Sequence, residues 1–210
     1  MLRAAAVLAV LFAGCAVVAV IAPGNAFDLA VERAIQGVPG VAPLARGVSW
    51  FGNSRLDIVA PIAIGFGLLA VGLRLEVAAL AASTLGATAL THLVKWLVDR
   101  ARPATEIHVL ETAHGASFPS GHVTEYVALA GVLAVFAHAL IRDRVVRRTL
   151  IVFAFVPIVL VGPARVYLGA HWPTDVIGGY ALAGAWLALV AQIYARQRAR
   201  RLREPRRLRI

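Results

Sequence analysis

The sequence predicts an all-α fold, an integral-membrane bundle of about six transmembrane helices, on three observations: its composition, the length of its apolar runs and the placement of its arginines. Hydrophobic residues make up 60% of the 210 and charged residues only 15%, with a mean hydropathy of +0.78, too apolar for an ordinary soluble domain. Crossing the hydrocarbon core takes roughly 20 consecutive apolar residues. Runs near 4–22, 56–73, 76–98, 121–141, 149–168 and 174–194 meet or approach that length. The net charge of +10 gathers mostly between Arg142 and Arg148 and in the tail from Arg196 to Arg209. Both follow long apolar runs, which favours cytoplasmic membrane flanks over a nucleic-acid surface.

The first run begins Met-Leu-Arg and contains Phe12-Ala13-Gly14-Cys15, close to a lipoprotein cleavage box; because Ala16 to Ala22 stay apolar, it is read as an uncleaved span. Cys15 is the only cysteine, which excludes an intrachain disulfide and argues against a cysteine-based metal site. Between Pro23 and Arg55, Phe27, Leu29, Val31, Ala34 and Ile35 mix with Asp28, Glu32 and Arg33, a pattern that predicts one short interfacial helix. The second span is the shortest and holds Pro61, Gly65 and Gly67, which membrane helices tolerate. One domain over 1–210 is expected, with chemistry-bearing motifs within 92–180 and a basic cytoplasmic tail over 196–210.

With Arg3 inside, the inner segments are Arg3, the turn with Arg74, the Arg142–Arg148 loop and the tail, so every strongly basic segment is cytoplasmic. The outer segments are Pro23 to Arg55, about Asp99 to Ser120, and Gly169 to Pro173.

Ionisable groups near membrane depth are costly and therefore point to function. Three clusters fall at the outer ends of the spans. In the first, Lys95 and Arg102 are seven residues apart, which places them on one side if the helix continues to Pro103. Lys95 is the only lysine, suggesting a site that needs a compact ammonium; for either cation alone, snorkelling to the headgroups is the better reading. The second is Pro119-Ser120-Gly121-His122, where a helix start offers a cap, close backbone approach and free N–H groups to an anion; alone, it also reads as an ordinary cap. In the third, Arg165, His171 and Asp175 join the fifth span to the sixth. His171 and Asp175 are four residues apart, so a bond between carboxylate and imidazole would leave the other ring nitrogen as a nucleophile or base. A helix-start pair facing solvent fits the same spacing.

Taken together, the clusters make a site for a tetrahedral oxyanion. Here the sequence resembles the type 2 phosphatidate phosphatase (lipid phosphate phosphatase) superfamily, related to the vanadium haloperoxidases. Lys95, Arg102 and Pro103 match its K-x6-R-P motif, Pro119 to His122 its P-S-G-H motif, and Arg165, His171 and Asp175 its S-R-x5-H-x3-D motif, with Ala164 standing where that family has serine. The resemblance implies that His171 attacks phosphorus to form a phosphohistidine, that Asp175 orients it, and that His122 protonates the departing oxygen. It also implies that Lys95, Arg102, Arg165, Ser120 and the N–H of Gly121 hold the phosphoryl oxygens. No metal or other cofactor is expected; His92, His108, His114 and His138 are scattered, His92 being the candidate for a role because it lies one turn before Lys95. The implied partners are membrane lipids and a lipid phosphate: undecaprenyl pyrophosphate, phosphatidylglycerol phosphate or phosphatidate. A lipid phosphotransferase on the same fold, or a non-catalytic protein that binds or transports anionic lipid, are the alternatives. The active site is expected on the outer side of the cell membrane.

Overall fold

The computed structural model of the chain describes residues 2–53, 55–104 and 107–203. Among these, eight helices account for the fold: α1 (Leu2–Ile21), α2 (Ala26–Gln36), α3 (Ala42–Asn53), α4 (Leu56–Ala70), α5 (Arg74–Val98), α6 (Gly121–Leu140), α7 (Arg144–Tyr167) and α8 (Pro173–Arg203). Five of them, α1, α5, α6, α7 and α8, are long and apolar enough to cross a membrane, and α4 is a shorter apolar helix. The all-α multi-pass bundle of roughly six helices is therefore as expected.

Two details differ from the expectation. The fourth helix covers 15 residues, a rise of about 22 Å, and stops at Ala70 instead of 73. The cause is local: Gly72 takes φ 78°, and the N–H groups of Leu73 and Gly72 return to the carbonyls of Leu68 and Leu69, the two bonds of a Schellman stop. The segment before it holds two helices, not one. Asn25 caps α2 by accepting from the N–H of Asp28 at 3.0 Å, and Gly40, at φ 77°, turns the chain into α3. Nor does the polar edge of α2 face water, because Asp28 and Glu32, one turn apart, are both fully buried.

At the centre stands α6, the most buried of the long helices, while α1 lies at the periphery with only Cys15 and Ala19 buried. Val123, Tyr126 and Val127 pack on Val161 and Val166 of α7 and on Val176 and Ala183 of α8. Lower on the same helix, Val132 and Phe136 meet Ala79 and Leu80 of α5 and Val190 and Tyr194 of α8. Lipid provides little drive for helices to associate, so such packing and the buried polar contacts carry the assembly. At the end carrying the Arg142–Arg148 loop, Arg198 donates to the carbonyl of Ala139 at 2.9 Å and pairs with Glu76 at 3.3 Å. The described part of the basic tail thus lies at this end, and residues 204–210 lie outside the described set.

Candidate active site

The opposite end gathers the three motif clusters. α5 closes at Val98 with Asp99 in the left-handed region, φ 41°, so Lys95 and Arg102 do not share a helix face as a helix continued to Pro103 would give. A turn at Asp99 brings Arg102 back over the site, ahead of the loop over 107–120. That loop is fastened to the α7–α8 link and to the first turn of α8: Leu110 and Glu111 donate to the carbonyl of Leu168, and Ser120 N–H donates to the carbonyl of Asp175. Gln36 of α2 adds a bond to the carbonyl of His108 at 2.7 Å.

His171 is placed by the way α7 ends. Gly169 takes φ 67°, and the N–H groups of Gly169 and Ala170 return to the carbonyls of Val166 and Arg165, again a Schellman stop. A methyl group on Gly169 would come within 2.6 Å of the His108 carbonyl. The chain leaves this turn with His171 buried, and Pro173 then opens α8. The Nδ1 of His171 lies 3.6 Å from Asp175 Oδ2 and 3.5 Å from the Ser117 hydroxyl. Its Nε2 lies 3.2 Å from Nη1 of Arg102. Burial, more than anything else, holds the His171 imidazole down to about 4 from an ordinary 6.5; the bond and charge of Asp175 oppose this and the cations Arg102 and Arg165 add to it. The ring is neutral at pH 7.

Asp175 is held from all sides. Its Oδ2 accepts from the Trp172 N–H at 3.0 Å and from the Ser117 hydroxyl, and its Oδ1 accepts from Arg100 at 2.6 Å. Arg102 donates to the carbonyls of Gly115 and Ala170 at 2.9 and 2.6 Å, and Lys95 donates to the carbonyl of Ala116. Gly121 is the first residue of α6, where helix N–H groups lack intrahelical acceptors. Ser120 occupies the cap position but its hydroxyl makes no cap bond; that oxygen and His122 Nε2 are both buried without a hydrogen-bond partner. Arg165 is fully buried too, but directs Nη1 to Glu111 at 2.6 Å and to the Ser49 hydroxyl of α3, so its charge is already paired in this state.

Sequence reasoning singled out none of Arg100, Ser117, Glu111 and Asp28. Arg100 stood inside the first cluster and, as a charge at a membrane boundary, carried a usable signal; Ser117 and Glu111 carried none. The side chains of His92, His108, His114 and His138 are all exposed. Among the described residues no group of three or more His, Cys, Asp or Glu has a metal-holding arrangement.

A multi-span helical bundle whose buried histidine, carboxylate and cations meet at one membrane face defines a membrane phosphatase. The profile of the PAP2 superfamily matches residues 76–199, and the chain belongs to that superfamily. It is 34% identical over 183 residues to a decaprenylphosphoryl-5-phosphoribose phosphatase of Mycobacterium tuberculosis, covering 82% of this chain and 92% of that one. The corresponding protein of Mycolicibacterium smegmatis is 36% identical over 160 residues, covering 74% and 80%. Among solved structures, the phosphatidylglycerolphosphate phosphatase of Bacillus subtilis superposes with a TM-score of 0.77 at 25% identity, covering 91% of this chain and 96% of that one. The protein is thus a multi-pass membrane hydrolase of the lipid phosphatase class.

Proposed function

We propose that the protein removes a phosphate monoester from a lipid-linked headgroup through a phosphohistidine on His171, at the outer face of the membrane. The observation that carries this reading is the pair of buried, unpartnered polar atoms, Ser120 Oγ and His122 Nε2, at the end of the bundle where His171, Lys95 and Arg102 also meet. Buried polar atoms without partners are uncommon and call for a reason, and a phosphoryl group at this end of the bundle provides one. A phosphoryl group supplies acceptors for Ser120, the Gly121 N–H and the cations, and a leaving oxygen for His122.

In the first step Nε2 of His171 bonds to phosphorus while the P–O bond to the lipid breaks, and His122, when protonated, gives its proton to the departing oxygen. Lys95, Arg102, Ser120 and Gly121 hold the equatorial oxygens as charge spreads over them. Arg165 joins them on release from Glu111. Water, losing a proton to the now neutral His122, then breaks the P–N bond and frees phosphate. The chain's own side chains and the Gly121 N–H provide nucleophile, acid and charge compensation, so turnover is expected to persist in excess EDTA.

The substrate nearest in chemistry is a phosphorylated sugar on a polyprenyl phosphate, by likeness to the mycobacterial relatives. The outer orientation is supported by the Arg142–Arg148 loop and Arg198 lying at the end opposite the site. The test is purified protein in detergent with a panel of lipid phosphates: polyprenyl-linked phosphosugar, undecaprenyl pyrophosphate, phosphatidylglycerol phosphate and phosphatidate. Phosphate released without a lipid acceptor supports the hydrolase. Release only with an acceptor indicates a transferase, and binding without turnover contradicts both.

A further inference from the structure

Behind the histidine, three charged side chains meet out of reach of solvent. Arg100 directs Nη1 to Asp175 Oδ1 and Nη2 to Asp28 Oδ2, each at 2.6 Å, and all three side chains are 0% exposed. Asp28 belongs to α2 and is itself held at the start of α8. The Thr174 N–H donates to its Oδ1 and the Thr174 hydroxyl to its Oδ2, both at 2.9 Å, while the Asn25 amide donates to Oδ2 at 3.0 Å. Arg100 Nη1 also donates to the Thr174 hydroxyl at 2.6 Å. Stability gives no reason for such a cluster, since well-packed apolar residues serve as well or better than buried ion pairs.

The charges do not cancel. One guanidinium stands between two carboxylates, leaving the trio with a net charge of −1, and the carboxylate that completes it is the one facing Nδ1 of His171. With Asp28 neutral, Arg100 would offset Asp175 in full, and the ring would acquire its positive charge beside a neutral pair. In addition, Arg100 fixes Oδ1 while Ser117 and the Trp172 N–H fix Oδ2, so the carboxylate cannot turn from the ring.

We propose that Asp28 is a positioning residue for the reaction: by engaging Arg100 and balancing its charge, it keeps Asp175 anionic in effect and oriented toward His171. This rests on the reading of His171 as nucleophile with Asp175 behind it. Asp28 lies outside the 76–199 region that the superfamily profile matches, and α2 is thereby tied to the chemistry.

Asp28→Asn retains an oxygen acceptor for Arg100 and removes the charge. In the full-length protein in detergent, acting on a short-chain lipid phosphate, it is expected to lower kcat roughly tenfold with KM within about twofold. In an Asp175→Asn background, read by single-turnover phosphate release, the same change is expected to cost less than about twofold, because the group through which Asp28 acts is already neutral. A kcat equal to that of the parent, or the full loss repeated in the Asp175→Asn background, overturns the proposal. Should Asp28→Asn fail to fold by circular dichroism, Arg100→Lys reads the same chain from its middle, keeping one charge but losing the fork that reaches both carboxylates. It is expected to show the same fall in kcat and the same lack of additivity; parental kcat, or full additivity, overturns the proposal. Asp175→Asn with parental kcat would instead remove the site assignment itself, a failure read on Asp175 alone.

Discussion

Nη1 of Arg102 sits 3.2 Å from Nε2 of His171, and this contact fixes the tautomer of the ring. A guanidinium has donors only. Nε2 therefore presents its lone pair to Arg102, and the ring proton is on Nδ1, toward Asp175 Oδ2. The nitrogen that faces the cationic loop is the one the proposed reaction uses as nucleophile. In the proposed reaction a phosphoryl group enters between the two, and Arg102 passes from the ring nitrogen to a phosphoryl oxygen while its bonds to Gly115 and Ala170 hold it in place.

Because burial holds His171 down to about 4, the proposed nucleophile stays neutral well below pH 7. The acid limb of kcat/KM belonging to it is expected near pH 4, after correction for the substrate phosphate's own ionisation at about 6. A limb near the ordinary 6.5 would contradict the burial argument. The sign for stability is the reverse of a salt-bridged histidine. Between 6.5 and about 4 the unfolded chain takes up a proton that the folded ring refuses, so stability falls as pH falls through that window.

Gly169→Ala should damage both fold and rate. At φ 67° a side chain is strained, and its Cβ would meet the His108 carbonyl at 2.6 Å, a backbone atom that cannot step aside cheaply. A loss of about 1–3 kcal/mol is expected, together with a lower kcat as the turn that delivers His171 shifts. Thermal melting in detergent alongside turnover measures both; parental values of the two would show that the turn tolerates a side chain.

The fold was largely legible because lipid demands long apolar helices, and five runs of the sequence satisfy that demand. The candidate site residues were legible through the resemblance of their order and spacing to three family motifs, since each cluster alone also fitted an ordinary helix end. What could not be read was partnership across the chain. Asp28 looked like the wet edge of an interfacial helix, since nothing local reveals that Arg100, 72 residues away, is waiting for it. The same holds for Glu111, which pairs with Arg165 from within the loop. The end of the third span at 98 was legible because the apolar run stops at Asp99, whereas the left-handed turn there, which parts Lys95 from Arg102, left no mark in the sequence.

His122→Ala should depend on the leaving group. The buried, unpartnered Nε2 is read as the donor to the departing oxygen, and a donor matters most where that oxygen is basic. Alkyl phosphates should lose roughly 100-fold or more in kcat, and aryl phosphates clearly less. Equal losses on both would remove His122 as the acid.

The outer orientation is tested by cysteines placed at Thr112, in the loop near the site, and at Val145, beside the basic loop, both exposed positions. In a Cys15→Ala background, an impermeant maleimide applied to spheroplasts should label position 112 and spare 145. The reverse pattern would move the site to the cytoplasmic leaflet.

The phosphohistidine is the centre of the account. Acid-stable and acid-labile phosphoenzymes are separable: a phosphorylated histidine survives base and is lost in acid, whereas a phosphorylated Ser120 behaves in the opposite way. Rapid quench in base during turnover, followed by peptide mass spectrometry, should place one phosphate on the peptide containing His171, and His171→Ala should lose both that label and turnover. A label on Ser120 or His122, or turnover surviving in His171→Ala, would contradict it.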